Sequence, residues 1–104
     1  MARIVVEAGI CGFTTTITAT SADRQHVTIS YETDCPHAAR AKADLTEVDA
    51  FQEMFKKPHE TRVYQTLSPH LPHTACPLYS GFLKAIEVAA GLALPKDAHM
   101  AIEA

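Results

Sequence analysis

Two segments in which apolar and polar residues alternate constrain the fold of this chain more than any other feature. In residues 13–20 the odd positions carry Phe, Thr, Ile and Ala, and every even position carries Thr. In residues 27–32 the odd positions carry Val, Ile and Tyr, and the even positions carry Thr, Ser and Glu. A period of two is typical of β-strands, and the polar residues 21–25 between the segments favour a turn. The pattern therefore predicts a β-hairpin with one face on the core and one face in solvent.

Further elements are predicted on both sides of the hairpin. Residues 3–8 form a predicted strand because they include three consecutive β-branched residues. Residues 98–103 form a predicted last strand, in which Met100 and Ile102 point the same way. A wide apolar face at helical spacing predicts a helix over residues 77–91.

A second apolar stripe at helical spacing predicts a helix over residues 36–56, with Thr33 or Asp34 as its N-cap. Its second half, restarted midway, is expected to turn three apolar side chains inward: Phe51, Met54 and Phe55. Residues 59–75 give no clear pattern, although residues 61–67 are compatible with a short extended segment.

Together these elements predict an α+β fold in a single domain, residues 1–104. An antiparallel sheet built around the β-hairpin is expected to be covered on one face by helices. The predicted strands are 3–8, 13–20, 26–33 and 98–103, and the predicted helices are 36–56 and 77–91. A chain of 104 residues, 47% of them apolar, is long enough to bury one modest core.

The charge and the apolar pattern argue against several classes of partner. The formal net charge is −3, and Lys56-Lys57 is the only adjacent basic pair, so no basic surface for nucleic acid is expected. No apolar run approaches the roughly 20 residues of a membrane span. Glu7 interrupts the N-terminal segment too early for a signal peptide. We therefore expect a soluble cytoplasmic protein that binds neither nucleic acid nor membranes.

Three cysteines, each at the boundary of a predicted element, are the candidate functional residues. Cys11 lies in the glycine-marked loop before the hairpin, Cys35 where the hairpin passes into a helix, and Cys76 at the start of the last helix. An odd number of cysteines does not close a disulfide framework, and in a reducing compartment such cysteines favour metal or thiol chemistry. The N–H groups of a helix N-terminus are expected to stabilise the thiolates of Cys35 and Cys76. If the last helix begins at the end of the sheet where the hairpin starts and finishes, all three thiols converge.

In the order and spacing of these cysteines, residues 9–91 resemble the NifU/IscU-type iron–sulfur cluster assembly scaffolds. In that family the first cysteine is followed by glycine at a strand edge, as in Cys11-Gly12, and the second stands at a helix start, as Cys35 does. The third comes much later, after a Leu-Pro segment such as Leu71-Pro72 and before an amphipathic helix, as Cys76 does. The resemblance implies that the three cysteines hold an iron–sulfur cluster or a metal ion. It also implies a scaffold or carrier that exchanges its cargo with donor and acceptor proteins.

The chain departs from that family at three positions. Phe13 stands where the family carries the aspartate that takes part in cluster binding and release. Pro36 stands where the family carries a glycine after the second cysteine. Ala75 stands where a histidine directly precedes the third cysteine, so that His73 is the nearest histidine.

Three thiolates leave one ligand position open, because tetrahedral zinc and iron–sulfur clusters use four protein ligands. His73 is the predicted fourth ligand, since it lies three residues before Cys76. The other candidates are His70, His37 and Asp34. Neither of the short zinc patterns is present: no two cysteines are separated by two residues, and no two histidines are separated by three.

Two other functions are compatible with the same residues. One is a structural zinc domain or an interaction domain without catalysis. The other is a thiol-redox or cysteine-nucleophile protein, in which a helix N-terminus activates Cys35 or Cys76 and His73 or His37 serves as a base. There is no hydrolase motif, phosphate loop or dinucleotide fingerprint, so binding is expected in preference to catalysis.

Overall fold

The alternating segments form two neighbouring strands in the computed structural model, which describes residues 1–104. They belong to one four-stranded antiparallel sheet with the strand order β1-β2-β3-β4. The strands are β1 (Ala2–Glu7), β2 (Thr14–Thr20), β3 (His26–Thr33) and β4 (Glu47–Asp49). The predicted α+β fold, with an antiparallel sheet built around a hairpin, is confirmed.

The two faces of the sheet follow the alternation of the sequence. Ile17 on β2 stands between Ile4 on β1 and Tyr31 on β3, and its side chain is completely buried. The even-numbered threonines of β2 lie on the other face and stay partly or fully exposed. Apolar side chains therefore give the sheet one face for the helices to cover, and hydroxyl groups cover the other.

The last helix, α4 (Leu78–Ala89), packs across β1 and β2 and agrees with the predicted helix 77–91 to within two residues at each end. Phe82 packs edge-on against Tyr31, with ring centroids 4.9 Å apart. Gly91 has a φ of 75° and ends the helix, since its N–H donates to the carbonyl of Val88. The N–H of Leu92 donates to the carbonyl of Glu87, which completes a Schellman motif.

The predicted helical region 36–56, restarted midway, is helical only at its two ends, and the continuous part of the prediction is wrong. The segment contains a one-turn helix α1 (Pro36–Ala39), strand β4, and a short helix α2 (Ala50–Met54). Pairing with β3 interrupts the helix, because the N–H of Ile29 donates to the carbonyl of Thr46 and Val27 stands opposite Val48. The side chain of Asp49 then accepts hydrogen bonds from two backbone N–H groups and restarts the chain as α2.

Residues 61–67, compatible in sequence with an extended segment, are helical instead. A short 3₁₀ helix (Pro58–Glu60) leads into α3 (Arg62–Leu67). Thr61 caps α3 by accepting a hydrogen bond from the N–H of Tyr64, and the buried Glu53 accepts two more from the same first turn. These caps are made by side chains, and the Glu53 cap comes from another helix.

Two further predictions about apolar residues are wrong. The predicted strand 98–103 has no regular structure, and Ile102 is 92% exposed. Phe51 and Phe55 do not turn inward, since they stack on each other at the surface with ring centroids 6.1 Å apart. Met54, the third residue of that set, packs partly buried against the core. The residues after Gly91 pair with no strand of the sheet.

One contiguous hydrophobic core lies between the covered face of the sheet and the helices. Its largest completely buried apolar side chains come from the sheet, from the last two helices and from the segment before β4: Phe82, Ile17, Leu45, Leu67, Leu78, Ile86, Val27 and Val63. No helix in the structure combines the length and the apolar character required to cross a membrane.

Candidate functional site

Cys11 and Cys35 lie at the same end of the sheet. Cys11 is in the loop that joins β1 to β2, and Cys35 follows the last residues of β3. Reciprocal hydrogen bonds connect the two places: the N–H of Thr14 donates to the Asp34 carboxylate at 2.7 Å, and the N–H of Asp34 donates to the carbonyl of Thr14 at 3.3 Å. The hairpin thus starts and finishes beside the Cys11 loop.

Helix α4 brings Cys76 to this same end. Its other terminus lies at the hairpin turn, since the Cα of Gly91 faces the Arg24 side chain closely enough that a Cβ there would be 3.6 Å from Arg24 Cδ. Gly81, ten residues earlier, lies over Val6 and Ile17, near the middle of β1 and β2. The helix therefore starts at the end of the sheet that holds the other two cysteines. We call the end that carries Cys11, Cys35 and Cys76 the cysteine end.

Cys35 is buried, with 8% of its surface exposed, and serves as the N-cap of α1. Its Sγ accepts a hydrogen bond from the N–H of Ala38 at 3.5 Å. Its own N–H donates to Thr33 Oγ1 at 3.1 Å, and that hydroxyl also hydrogen-bonds the Thr15 hydroxyl at 2.7 Å. Cys35 therefore takes the N-cap position that was predicted for Thr33 or Asp34. The Thr33 hydroxyl is bonded to Thr15 and to the N–H of Cys35, and the Asp34 carboxylate is bonded to the N–H of Thr14.

Cys76 is half-buried and precedes Pro77, the N-cap of α4. Burial raises the pKa of its thiol, and negative charge on Cys35 or Cys11 raises that pKa further, whereas a hydrogen bond from the N–H of Leu78 lowers it. Burial is the largest of these effects. The expected stabilisation of a Cys76 thiolate by the helix N-terminus is therefore outweighed, and the thiol holds its proton. Cys76 therefore lies within electrostatic range of both Cys35 and Cys11.

Cys11 is exposed in a loop that two glycines shape. Gly9 and Gly12 have φ values of 92° and 75°, and the N–H of Gly12 donates to the carbonyl of Gly9 at 2.9 Å. A Cβ at either glycine would meet no atom within 4 Å, so these positions require glycine for backbone conformation and not for space. Phe13, which follows the loop, packs partly buried against the core.

The side chains at the cysteine end are not arranged around a metal position. No group of three or more His, Cys, Asp and Glu side chains in the structure has an arrangement that would hold a metal ion. His73, the predicted fourth ligand, is exposed, and its carbonyl accepts the N–H of Cys76 at 3.1 Å. His70 and His37 are half-buried and make no side-chain hydrogen bond, while the Asp34 carboxylate is engaged by Thr14.

A pair of stacked tyrosines lies beside Cys76, and the sequence did not predict it. The rings of Tyr64 and Tyr79 stack with centroids 4.3 Å apart and planes inclined by 16°. Burial raises the pKa of Tyr79, and negative charge on Cys76 and Tyr64 raises it further. The only signal in the sequence is that Tyr79 follows Cys76 by three residues, which is one helical turn.

Comparison with known proteins identifies the family of this chain. No curated protein and no solved structure matches it. Residues 2–102 match the profile of a family described as "Family of unknown function (DUF6951)". Because this match covers nearly every residue of the fold, including all three cysteines, the chain belongs to the DUF6951 family.

Proposed function

We propose that the cysteine end binds an iron–sulfur cluster or a single thiophilic ion such as zinc through Cys11, Cys35 and Cys76. The observation that carries this proposal is that three cysteines, far apart in sequence, lie at one end of the sheet, with Cys76 within electrostatic range of the other two. Thiolate sulfur is the preferred ligand of zinc and of iron–sulfur clusters. No other part of the chain assembles three side chains of this kind.

The backbone around two of the sulfurs supports this role. The N–H of Ala38 donates to Cys35 Sγ at 3.5 Å, and the N–H of Leu78 lies near enough to Cys76 to lower the pKa of its thiol. Hydrogen bonds from N–H groups to sulfur stabilise negative charge on a ligating thiolate and tune the bound group. These donors are already in place, so that a group bound here gains from them without rearrangement of α1 or α4.

Binding requires Cys11 to approach the other two cysteines, since the three sulfurs do not yet surround a common position. The loop that carries Cys11 is suited to such a movement. Its side chain is exposed, and no atom crowds the Cα of either Gly9 or Gly12. Cys35 and Cys76 remain held by the packing of the core, and the loop closes over them.

The fourth ligand in this proposal is His73. Its backbone is tied to Cys76 by the hydrogen bond between the N–H of Cys76 and the carbonyl of His73, and its imidazole is free in solvent. A rotation of the exposed side chain would bring a ring nitrogen toward the bound group. The scaffold-like alternative is that this position is left open for a donor or acceptor protein.

The biological role we propose is that of a cytoplasmic scaffold or carrier, as in the NifU/IscU-type proteins, which exchanges its cargo with other proteins. One difference from those proteins concerns release of the cargo. Phe13 packs against the core at the position of their functional aspartate, so no carboxylate is present there. This difference favours retention of the bound group over rapid transfer.

The thiol-nucleophile alternative is weaker at Cys76. A nucleophilic cysteine reacts as its thiolate, and burial raises the pKa of Cys76 and so keeps the thiol protonated. A metal ion, in contrast, displaces the proton when it binds and does not need a thiolate formed in advance.

The proposal is tested by titrating the reduced, metal-free protein with cobalt(II), which reports thiolate ligation through charge-transfer absorption. We expect one cobalt ion per chain, with weaker charge-transfer absorption in each of the variants Cys11→Ala, Cys35→Ala and Cys76→Ala. The matched control is Thr74→Ala, an exposed neighbour of His73, which should bind as the wild type does. His73→Ala tests the fourth ligand separately. Cobalt absorption that is unchanged in all three cysteine variants would refute the shared site.

A further inference from the structure

The outer edge of β1 is unpaired. β1 is the first strand of the sheet and pairs only with β2. The N–H of Ala8 donates to the carbonyl of Phe13, and backbone groups alternate in direction along a strand. The even-numbered residues of β1 therefore direct their backbone toward β2, whereas Arg3, Val5 and Glu7 direct their N–H and carbonyl groups outward. No other segment of the chain donates to or accepts from this edge.

The side chains of the same three residues project from the solvent face of the sheet. Arg3 and Glu7 are exposed, and Val5 between them is 50% exposed. On the covered face, Ile4 remains partly exposed although it packs against the core. Natural proteins protect edge strands with proline, charged side chains or a bulge. β1 contains no proline or bulge, and its two charged residues, Arg3 and Glu7, are of opposite sign. The side chains of Ile4 and Val5 are therefore only partly buried at this edge.

We propose that β1 pairs with β1 of a second copy of this chain, antiparallel and centred on Val5, to join the two sheets into one. In this register Val5 stands opposite the partner's Val5, and Ile4 stands opposite the partner's Val6. Arg3 stands opposite the partner's Glu7, and Glu7 stands opposite the partner's Arg3. The pairing therefore places opposite charges together twice.

The backbone and the charges select the same register. A pairing centred on Val5 places outward-directed residues opposite one another, which is the condition for hydrogen-bonded pairs in an antiparallel ladder. A pairing centred on Ile4 or on Val6 also satisfies the backbone, but it places Arg3 or Glu7 opposite Val5. Only the register centred on Val5 gives both charged residues a partner of opposite sign, and cross-strand pairs of this kind stabilise sheets.

A second copy is the occupant that this edge favours, because the sequence from Arg3 to Glu7 is complementary to itself. Each copy contributes one positive and one negative residue at equal distances from Val5. The pairing also covers the exposed parts of Ile4 and Val5. Helix α4 lies over β1 and β2 on the covered face, so it leaves the outer edge open to the partner strand.

Charge exchange at the two positions tests the proposal by analytical ultracentrifugation over a range from micromolar to millimolar protein. We expect the wild type to dimerise, and Arg3→Glu or Glu7→Arg alone to raise the dissociation constant by about tenfold or more, because each change creates two like-charge pairs. An equimolar mixture of the two single variants should dimerise again, since a chain with two glutamates then faces a chain with two arginines. The double variant Arg3→Glu with Glu7→Arg should also dimerise.

The matched controls are Arg40→Glu and Glu103→Arg, which change the same charges at exposed positions outside the sheet. Both should dimerise as the wild type does. Circular dichroism of every variant establishes that the fold is intact, which is expected because the changed side chains face solvent. A wild type that stays monomeric at all concentrations would overturn the proposal. So would single variants that dimerise as tightly as the wild type, or a mixture that does not recover dimerisation.

Discussion

At the level of single residues, Cys76 shows how two physical effects compete at one thiol. The N–H of Leu78 stabilises a thiolate, as the position before a helix suggests, but burial against the core has the larger effect and raises the pKa. Sequence position gives the first effect, since a proline after the cysteine marks the helix start. It does not give the second, because burial depends on how α4 packs on a sheet formed by residues far away in the chain.

His26 offers a direct test of the electrostatics at the hairpin turn. Its Nδ1 lies 2.7 Å from the Asp23 carboxylate, which raises the pKa of His26. We expect Asp23→Asn to lower the pKa of His26, measured by NMR titration of the imidazole signals, because the amide carries no charge. Asp97→Asn, in the C-terminal segment, is the control and should leave that pKa unchanged.

The sign of the effect on stability follows from the same ion pair. A raised pKa in the folded state means that the protonated histidine stabilises the turn below the unfolded pKa of His26. This contribution is lost as the pH rises through the higher, folded pKa. An equal pKa of His26 in the wild type and in Asp23→Asn would contradict the assigned pairing.

At the level of elements, the hairpin and the last helix were predictable and the middle of the chain was not. The alternation in residues 13–20 survives in the fold because one whole face of β2 is buried. The apolar stripe that predicted a helix over residues 36–56 is real, since Ala38, Leu45 and Val48 are all buried. The chain reaches those positions through turns and the three-residue strand β4, whose existence depends on pairing with β3. Local periodicity does not report such long-range hydrogen bonds.

The candidate site was predictable to a similar extent. The sequence correctly predicted that each cysteine lies at the boundary of an element. The direction in which α4 crosses the sheet then brings Cys76 to the same end as Cys11 and Cys35. The capping role of Cys35 and the stacking of Tyr64 on Tyr79 were not inferred. The stacking depends on a tertiary contact between α3 and α4. The cap passes to Cys35 because Thr33 and Asp34 form hydrogen bonds with β2, which the local sequence does not specify.

Glu53 joins two helices and allows a quantitative test. Its carboxylate, 4% exposed, accepts hydrogen bonds from the N–H groups of Arg62 at 2.7 Å and Val63 at 3.2 Å. We expect Glu53→Gln to lower the free energy of unfolding by about 1–3 kcal/mol, because an uncharged amide has one acceptor oxygen for two donors. Urea unfolding measures the loss, and Glu103→Gln, at an exposed position, serves as the control. Equal stability of Glu53→Gln and the control would show that this cap is dispensable.

Gly81 permits the close approach of α4 to the sheet. A Cβ at this position would lie 2.5 Å from Val6 Cγ2, and a β-branched side chain has little freedom to move away. We expect Gly81→Ala to lower the free energy of unfolding by about 1 kcal/mol, since overpacking outweighs the gain in helix propensity. The loss should shrink in a Val6→Ala background.

Thermal or urea unfolding of the four chains in this double-mutant cycle measures the coupling between positions 6 and 81. Ser80→Ala, an exposed change in the same helix, controls for helix propensity. If Gly81→Ala were as stable as Ser80→Ala, the close contact between α4 and β1 would not be the reason for glycine at this position.

At the level of the whole molecule, the fold separates its proposed functions in space. The loop between β1 and β2, the end of β3 and the start of α4 form the cysteine end, while the outer edge of β1 is the proposed contact with a second copy of the chain. Strand β1 connects the two, because Glu7 ends the strand and Cys11 lies in the loop that follows. In the proposed dimer centred on Val5, the two cysteine ends lie on opposite sides of the dimer axis.

The measurement that tests the central claim most directly is metal and sulfide analysis of protein purified without oxygen, together with its absorption spectrum. The wild type should be compared with Cys76→Ala and with the control Thr74→Ala. We expect iron with acid-labile sulfide and a visible absorption band, or zinc near one ion per chain, in the wild type and the control. The bound group should be lost from Cys76→Ala. Wild-type protein with neither metal nor sulfide, or with the same content as Cys76→Ala, would contradict the three-cysteine site.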